Sequence, residues 1–189
     1  MKPKQLSSYK YCTEILKENH NENCKLHSIC LNIENILSQF GYGSCKKSNL
    51  GDESKCYKYL SYFIYSYIKS SSSCEDLKNL YTQINEAKNF YLTADNSCII
   101  DNFAISNADF KKKKDLYLHG ENLYWIKEKE ILNEVEEKTS FDEYLKKCSK
   151  IYTDIVQKDY CKGNETFNSD LLVFQKNFNN ARDYLKKTA

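Results

Sequence analysis

The stretch on which the fold turns is Leu26-His27-Ser28-Ile29-Cys30-Leu31-Asn32-Ile33-Glu34-Asn35-Ile36-Leu37-Ser38-Gln39-Phe40. Its apolar positions, Leu26, Ile29, Cys30, Ile33, Ile36, Leu37 and Phe40, recur three and four residues apart. That spacing puts them on one face of an α-helix and is incompatible with the two-residue period of a half-buried strand. Gly41 follows where a helix C-cap belongs. On the N-terminal side, Tyr9, Cys12, Ile15 and Leu16 predict a short amphipathic helix over Tyr9 to Asn19. On the C-terminal side a loop runs from Gly41 to Asp52 and holds Cys45 and three of the five glycines.

The same period continues through the chain. Cys56, Leu60, Phe63, Ile64 and Tyr67 mark a tyrosine-rich helix that the serines Ser70 to Ser73 end. Ser73 and Asp76 resemble a capping box opening the next helix, through Leu77, Leu80, Tyr81, Ile84 and Tyr91. Thr93 to Ser106 reads as a longer connection containing Cys98. From Asn107 to Lys138 only Gly120 interrupts a long central helix. It carries one stripe of Phe110, Tyr117, Tyr124, Ile131 and Val135, and a second of Leu118, Trp125 and Leu132. Such a helix either touches neighbours on two sides or keeps one stripe for a partner. Ser140 and Glu143 form another capping-box candidate, opening a helix through Phe141, Tyr144, Leu145, Cys148, Ile151, Tyr152 and Ile155. After a short loop with Cys161, a last helix uses Leu171, Phe174, Phe178, Ala181 and Leu185. The expectation is an all-α bundle of about seven helices, residues 1–189 forming a single helical unit stapled by disulfides.

Composition narrows the function classes. With 189 residues and a hydrophobic fraction of 41%, the chain can bury a core. A single Pro and five Gly leave few breakers, which favours long helices. A net charge of +2 implies no polyanionic partner, so nucleic acid is not expected as ligand. Nine cysteines, with no CxxC pair, point to an oxidising compartment and not to a zinc ribbon. The candidates for bridging are Cys12, Cys24, Cys45, Cys56, Cys74, Cys98 and Cys161, while Cys30 reads as a buried member of its helix's apolar stripe. An odd count leaves at least one cysteine free or paired to another chain, and the pairing pattern stays open.

Few residues are arranged for chemistry. Cys24, His27 and Cys30 stand at i, i+3 and i+6, but a fourth metal ligand is not evident, so neither a metal nor a cofactor is expected. His20, His27 and His119 sit in no nucleophile motif, no Gly-rich loop precedes a helix, and no catalytic residue is assigned. Lys111 to Lys114 is the strongest basic run; it reads as a solvated helical face, with heparan sulfate or lipid headgroups as the alternative. Asn164-Glu165-Thr166 is a glycosylation sequon by pattern. The sixteen tyrosines read mainly as core, with Tyr62, Tyr65 and Trp125 as off-stripe aromatics suited to a binding surface. Leu118, Trp125 and Leu132 are the candidate receptor contacts, together with the Gly41–Ser54 and Thr93–Ser106 loops.

Four segments carry a family resemblance. Cys56-Tyr57-Lys58-Tyr59-Leu60-Ser61-Tyr62-Phe63-Ile64-Tyr65 resembles the Cys-x-Tyr-Leu-Asn-Tyr-Trp-Leu-Tyr signature of the Plasmodium interspersed repeat (PIR, or Vir-like) proteins. Phe110-Lys111-Lys112-Lys113-Lys114-Asp115-Leu116-Tyr117 is similar to that family's Phe-x-x-Lys-x-x-Leu-Tyr-Asp helix. Tyr144 to Tyr152 with Cys161 resembles its later cysteine region, and Leu171 to Tyr184 its closing helix. Cys56 lies one residue further from Tyr59 than in the family, Ser61 stands for Asn and Phe63 for Trp. A cysteine usual after the Cys161 position is absent, Asn168 and Ser169 lying there, which puts the family's pairing of Cys161 in doubt.

The resemblance implies the ectodomain of a variant surface antigen of a malaria parasite. Such a protein is exported to the infected red cell's surface or membrane and binds a host cell-surface receptor in immune evasion or adhesion. It also implies a membrane anchor outside these 189 residues and export without a visible secretory signal. Lysine for arginine almost throughout, Arg182 being the sole arginine, and abundant Asn, Tyr and Ile fit the AT-rich coding of such a genome. The other expectation of this chain is an exported structural or trafficking adaptor inside the red cell, with mostly free thiols. An enzyme would need a deep pocket with converging polar groups.

Overall fold

The computed structural model describes residues 11–12, 25–40, 45, 53–71, 77–92, 98–128 and 135–187. The described residues contain six α-helices and no strand: α1 (Leu26–Phe40), α2 (Glu53–Ser71), α3 (Lys78–Tyr91), α4 (Asn107–Glu128), α5 (Val135–Lys158) and α6 (Asn168–Lys187). Two 3₁₀ turns, Tyr160–Lys162 and Glu165–Phe167, join α5 to α6. None of the described helices is long and apolar enough to cross a membrane. The chain divides into two compact units, Met1–Ala104 and Ile105–Ala189. No proline, glycine or low-complexity signal marks this boundary in the sequence. In the backbone it is marked by Ala104, whose φ of 45° lies in the left-handed region that costs an L-residue about 1 kcal/mol or more.

In the first unit, α1 packs on α3 and, less extensively, on α2. The periodicity that predicts α1 also gives its buried face: Leu26, Ile29, Cys30, Ile33 and Leu37 are enclosed, while Phe40 is left exposed at the C-terminal end. Each such aliphatic side chain, fully buried, contributes about 1.5–3 kcal/mol. Helix α3 buries Leu80, Tyr81 and Ile84, as its spacing predicts, and Ala87 besides. Helix α2 departs from expectation. Tyr57, Tyr62, Tyr65 and Ile68 are buried beside Leu60 and Ile64, and Phe63 is exposed. Tyr62 and Tyr65 are therefore packing residues and not part of a binding surface. The cause is Phe103, whose ring stacks on Tyr62 at 4.7 Å and meets Tyr65 edge-on at 5.3 Å.

The segment bearing Phe103 is pinned by polar side chains of the helices. Asn85 accepts the Ile100 N–H at 2.8 Å and donates to the Ile100 carbonyl at 3.0 Å, doing for this extended segment what a neighbouring strand would do. The Ser61 hydroxyl accepts the Asp101 N–H at 2.9 Å, and the buried Lys88 ammonium donates to the Cys98 carbonyl.

Among the described residues of this unit two disulfides form, Cys12–Cys30 and Cys45–Cys56. Cys12, Cys45 and Cys56 are thus bridged as expected. Cys30 is a correction, because it is both buried on the apolar stripe and bridged. A helical position facing the core also faces whatever segment covers the core, here the one carrying Cys12. Cys24 and Cys74 lie outside the described residues, as do most of the Tyr9–Asn19 helix, Gly41 and the Ser73–Asp76 capping box.

In the second unit α4 packs chiefly on α6, and α5 contacts both. The core joins Leu116, Leu123 and Ile126 of α4, Leu145, Cys148 and Ile155 of α5, and Phe167, Leu171, Phe174 and Ala181 around α6. Phe141, Tyr144, Ile151 and Tyr152 complete the α5 face, every one of them on the predicted stripe. Gly120 of α4 lets the backbone of α6 come close, a Cβ there meeting Phe174 at 3.7 Å. The neighbouring Gly120 carbonyl accepts from the buried Asn177 amide at 3.0 Å.

One predicted helix start changes. Ser140 lies within α5, which already begins at Val135, because nothing from Val135 to Thr139 breaks a helix. Helix α4 begins at Asn107 as expected, opened by a cap that the sequence analysis does not single out: the Ser106 hydroxyl accepts the Asp109 N–H at 3.1 Å and donates to the Asp109 carboxylate at 2.8 Å. The expected single helix from Asn107 to Lys138 is instead two elements, α4 to Glu128 and α5 from Val135, with residues 129–134 outside the described part.

Candidate functional site

Of the described residues in the heptad stripes of α4, Phe110 alone is fully buried. The buried line is Leu116, Gly120 and Leu123, and at about 100° per residue Leu118 and Trp125 point to nearly the opposite side. Tyr117 and Tyr124 flank the line and are half-buried. The reason is Gly120: a residue with no side chain is invisible to an apolar-periodicity reading, yet it is buried against Phe174 of the neighbouring helix.

Leu118 and Trp125 are half-buried, and Leu132 lies outside the described residues. Trp125 stands edge-on to Tyr124 at 5.1 Å. With Asn122 and Ile126 of α4, and with Ser140, Phe141 and Tyr144 of α5, it lines an open notch of about 370 Å³. The notch is aromatic on its walls and polar at Asn122 and Ser140, the composition of a surface that anchors a partner's side chain.

Behind the notch sits a small titratable group. The Tyr144 hydroxyl lies 2.8 Å from Nδ1 of His119. Burial, reinforced by Lys147 and opposed by Asp115, holds His119 below its ordinary pKa of 6.5, so the ring is neutral at pH 7. Burial pushes the Tyr144 phenol above its ordinary range. Cys148, one turn further along α5, is completely buried, and burial raises its pKa too. A buried, protonated thiol with a tyrosine between it and the histidine is a poor nucleophile. The group's evident role is to fix Tyr144, and with it one wall of the notch.

The basic run is divided among roles. Lys112 donates to both oxygens of Asp159, at 2.8 and 3.0 Å, and lies 3.4 Å from Asp109. Its pKa is raised, first by the hydrogen bond it donates to Asp159. Lys113 pairs with Asp170. Two of the four lysines therefore tie α4 to the α5–α6 connection and to α6, while Lys111 is exposed. The expected solvated face is reduced to Lys111 and part of Lys114, because acidic residues far away in sequence come to meet the other two.

The remaining cysteines occupy distinct places. Cys98 and Cys161 belong to neither bridge. Cys161 is an exposed thiol on the Tyr160–Lys162 turn, not the bridged residue expected. Cys30, being bridged, is lost as a ligand to the Cys24-His27-Cys30 arrangement, and no group of three metal-ligating side chains occurs among the described residues. In the sequon, the Asn164 side chain accepts the Thr166 N–H at 3.0 Å, closing a local turn. The described residues line two further concavities. One, of about 590 Å³, lies along α3 beside Ile99 to Asn102 in the first unit. The other, of about 270 Å³, lies between the C-terminal end of α5 and the start of α6. Comparison with family models, with curated proteins and with solved structures gave no match.

Proposed function

We propose that this chain is the disulfide-stapled ectodomain of a variant surface antigen that binds a host cell-surface receptor, with the Trp125 notch as the centre of contact. The observation that carries the reading is the pair of bridges, Cys12–Cys30 and Cys45–Cys56, within an all-helical scaffold. Disulfides persist in oxidising, extracellular settings, which favours surface display over an adaptor in a reducing cytosol. The resemblance of Cys56 to Tyr65, Phe110 to Tyr117 and Tyr144 to Tyr152 to the PIR proteins supplies the class of antigen, its exported location and its malarial source. An anchor outside these residues would hold it to the membrane.

A scaffold of this kind separates two tasks. Bridges and apolar helix faces hold the fold, so exposed positions vary at a cost of less than about 0.5 kcal/mol each, as immune escape requires. The notch offers what such surfaces otherwise lack, an aromatic anchor walled by a second helix.

The test is binding of the oxidised, multimerised chain to an array of human cell-surface receptors, with a reduced and alkylated sample as control. One saturable hit is expected, lost on reduction and weakened about 30-fold or more by Trp125→Ala, the effect of removing a hot-spot aromatic. A hit that Trp125→Ala leaves unchanged moves the contact away from the notch. No hit on a validated array, with all thiols found reduced in parasite-derived protein, would sink the receptor reading in favour of the adaptor.

A further inference from the structure

We propose that Asn164 is an N-glycosylation site, its side chain carrying an oligosaccharide joined through N-acetylglucosamine. Asn164-Glu165-Thr166 is the only Asn-x-Ser/Thr triplet in the 189 residues, and its middle residue is not the proline that would disable it. A triplet of this kind becomes a site when it stands on a surface loop of a chain that enters an oxidising lumen.

The triplet lies on the connection between α5 and α6, outside both helices. Asn164 is half-buried, whereas Lys162, Gly163, Glu165 and Thr166 around it are exposed. A branched sugar on Asn164 therefore leaves the turn into solvent without displacing core. The backbone beneath it is held on both sides. The Asn164 N–H donates to the Asp159 carbonyl at 3.1 Å, and Phe167, the residue after the triplet, is sealed in the core at 0% exposure.

The two side-chain groups that a glycosyl transfer uses are unspent. Asn164 has extended backbone, φ −82° and ψ 103°, and its Oδ1 accepts the Thr166 N–H at 3.0 Å. That bond engages only the amide oxygen. Neither the Asn164 amide nitrogen nor the Thr166 hydroxyl makes a hydrogen bond among the described residues. Had the nitrogen been tied into the fold, its modification would cost a hydrogen bond; here none is lost.

The transfer needs no oxidant. Its donor is an oligosaccharide linked through N-acetylglucosamine to a polyprenyl pyrophosphate, brought by a membrane-bound transferase. Nδ2 of Asn164 bonds to C1 of that sugar, and the bond from C1 to the pyrophosphate oxygen breaks. The electron pair leaves with the pyrophosphate, and the proton lost from Nδ2 passes to the medium.

The inference rests on the surface-antigen reading in one respect, that the chain enters the lumen in which Cys12–Cys30 and Cys45–Cys56 close. It does not rest on the notch. At 1.5 Å per residue along α5, the connection stands roughly 20 Å from the notch wall at Tyr144. The sugar therefore masks the turn at one end of the helix and leaves the contact surface at the other.

The experiment secretes the full chain from human cells behind a cleavable leader and maps its peptides by mass, with and without peptide-N-glycosidase. Expected is an enzyme-sensitive glycan on the peptide containing Asn164, lost in Asn164→Gln and in Thr166→Ala. The second variant keeps Asn164 in place, so poor folding of the first cannot pass for a missing site. The peptide from parasite-derived chain is expected to carry the modification too. An unmodified Asn164 from either source, in chain whose two bridges have formed, would overturn the proposal. So would a glycan that persists in Thr166→Ala. An unglycosylated chain that still binds a receptor through Trp125 sinks this inference alone, and a glycosylated chain that binds none sinks only the receptor reading.

Discussion

The two units of this chain stabilise helices by different means. In the first, α1, α2 and α3 are accompanied, among the described residues, by two disulfides that close sequence separations of 18 and 11 residues. In the second no bridge occurs among the described residues. Its helices are held by an interdigitated core around Phe174, by the Lys112–Asp159 and Lys113–Asp170 ties, and by the Asn177 bond to Gly120. The contrast follows from where each unit gets its long-range order. The first must fix an extended segment, Cys98 to Ala104, over its helices, and does so with tyrosines, Asn85 and Ser61. The second stacks three helices of 20 or more residues, whose apolar faces specify their own partners. Covalent closure helps most where helix packing alone leaves the chain many alternatives.

The largest expected effect tests the covalent side. Reduction and alkylation should cost the first unit about 3 kcal/mol for each bridge. Amide exchange should show protection lost in α1 and α2 and retained in α5 and α6. Equal loss in both units would erase the distinction. The converse substitution is Phe174→Ala, which removes a ring at 1% exposure that stacks on Tyr152 at 6.0 Å. It should cost about 3–5 kcal/mol, read by denaturant unfolding, with α1 and α3 exchange unchanged.

A smaller effect has the opposite sign. A Cβ at Gly120 would make ordinary contact with Phe174, at 3.7 and 3.8 Å. Gly120→Ala should therefore stabilise the second unit by about 0.5–1 kcal/mol through helix propensity, visible as a higher unfolding midpoint. A destabilised variant would mean that Phe174 cannot accommodate the added methyl group.

The smallest effect is a pH dependence confined to the second unit. His119 is held below 6.5 by burial, so the unfolded chain binds its proton more readily than the folded one. Its contribution is present above pH 6.5 and is lost as pH falls through the lowered folded value. Unfolding of the second unit followed from pH 7.5 to 5 should show a decline that His119→Gln flattens. An identical decline in the variant would assign it to the carboxylates.

The legibility of the two regions differs as well. Helix α5 was readable almost residue by residue, Phe141 to Ile155, since one face is core and the other water. Helix α2 was not, because Phe103 arrives from some forty positions away and makes core out of Tyr62 and Tyr65, which local periodicity assigns to the surface. Helix α4 misled for a related reason: Gly120 contributes backbone and no side chain, so the true contact line vanishes from an apolar count. Trp125 was singled out by its type, but the Phe141 and Tyr144 walls that make it a notch come from another helix. Lys112 and Lys113 read as solvated until Asp159 and Asp170 come to meet them.

Sequence alone determined the all-helical class, the positions of four of the six described helix faces, the candidacy of Cys12, Cys45 and Cys56 for bridging, and the residues that carry the family resemblance. These depend on spacing within a few turns, which the chain encodes locally. Only the tertiary structure decided the division at Ala104, the pairing of Cys30, the exposure of Cys161, the walls of the Trp125 notch and the burial of the α2 tyrosines. Each of those is a meeting of residues far apart in the chain, and a helical period carries the direction in which a face points but not what comes to cover it.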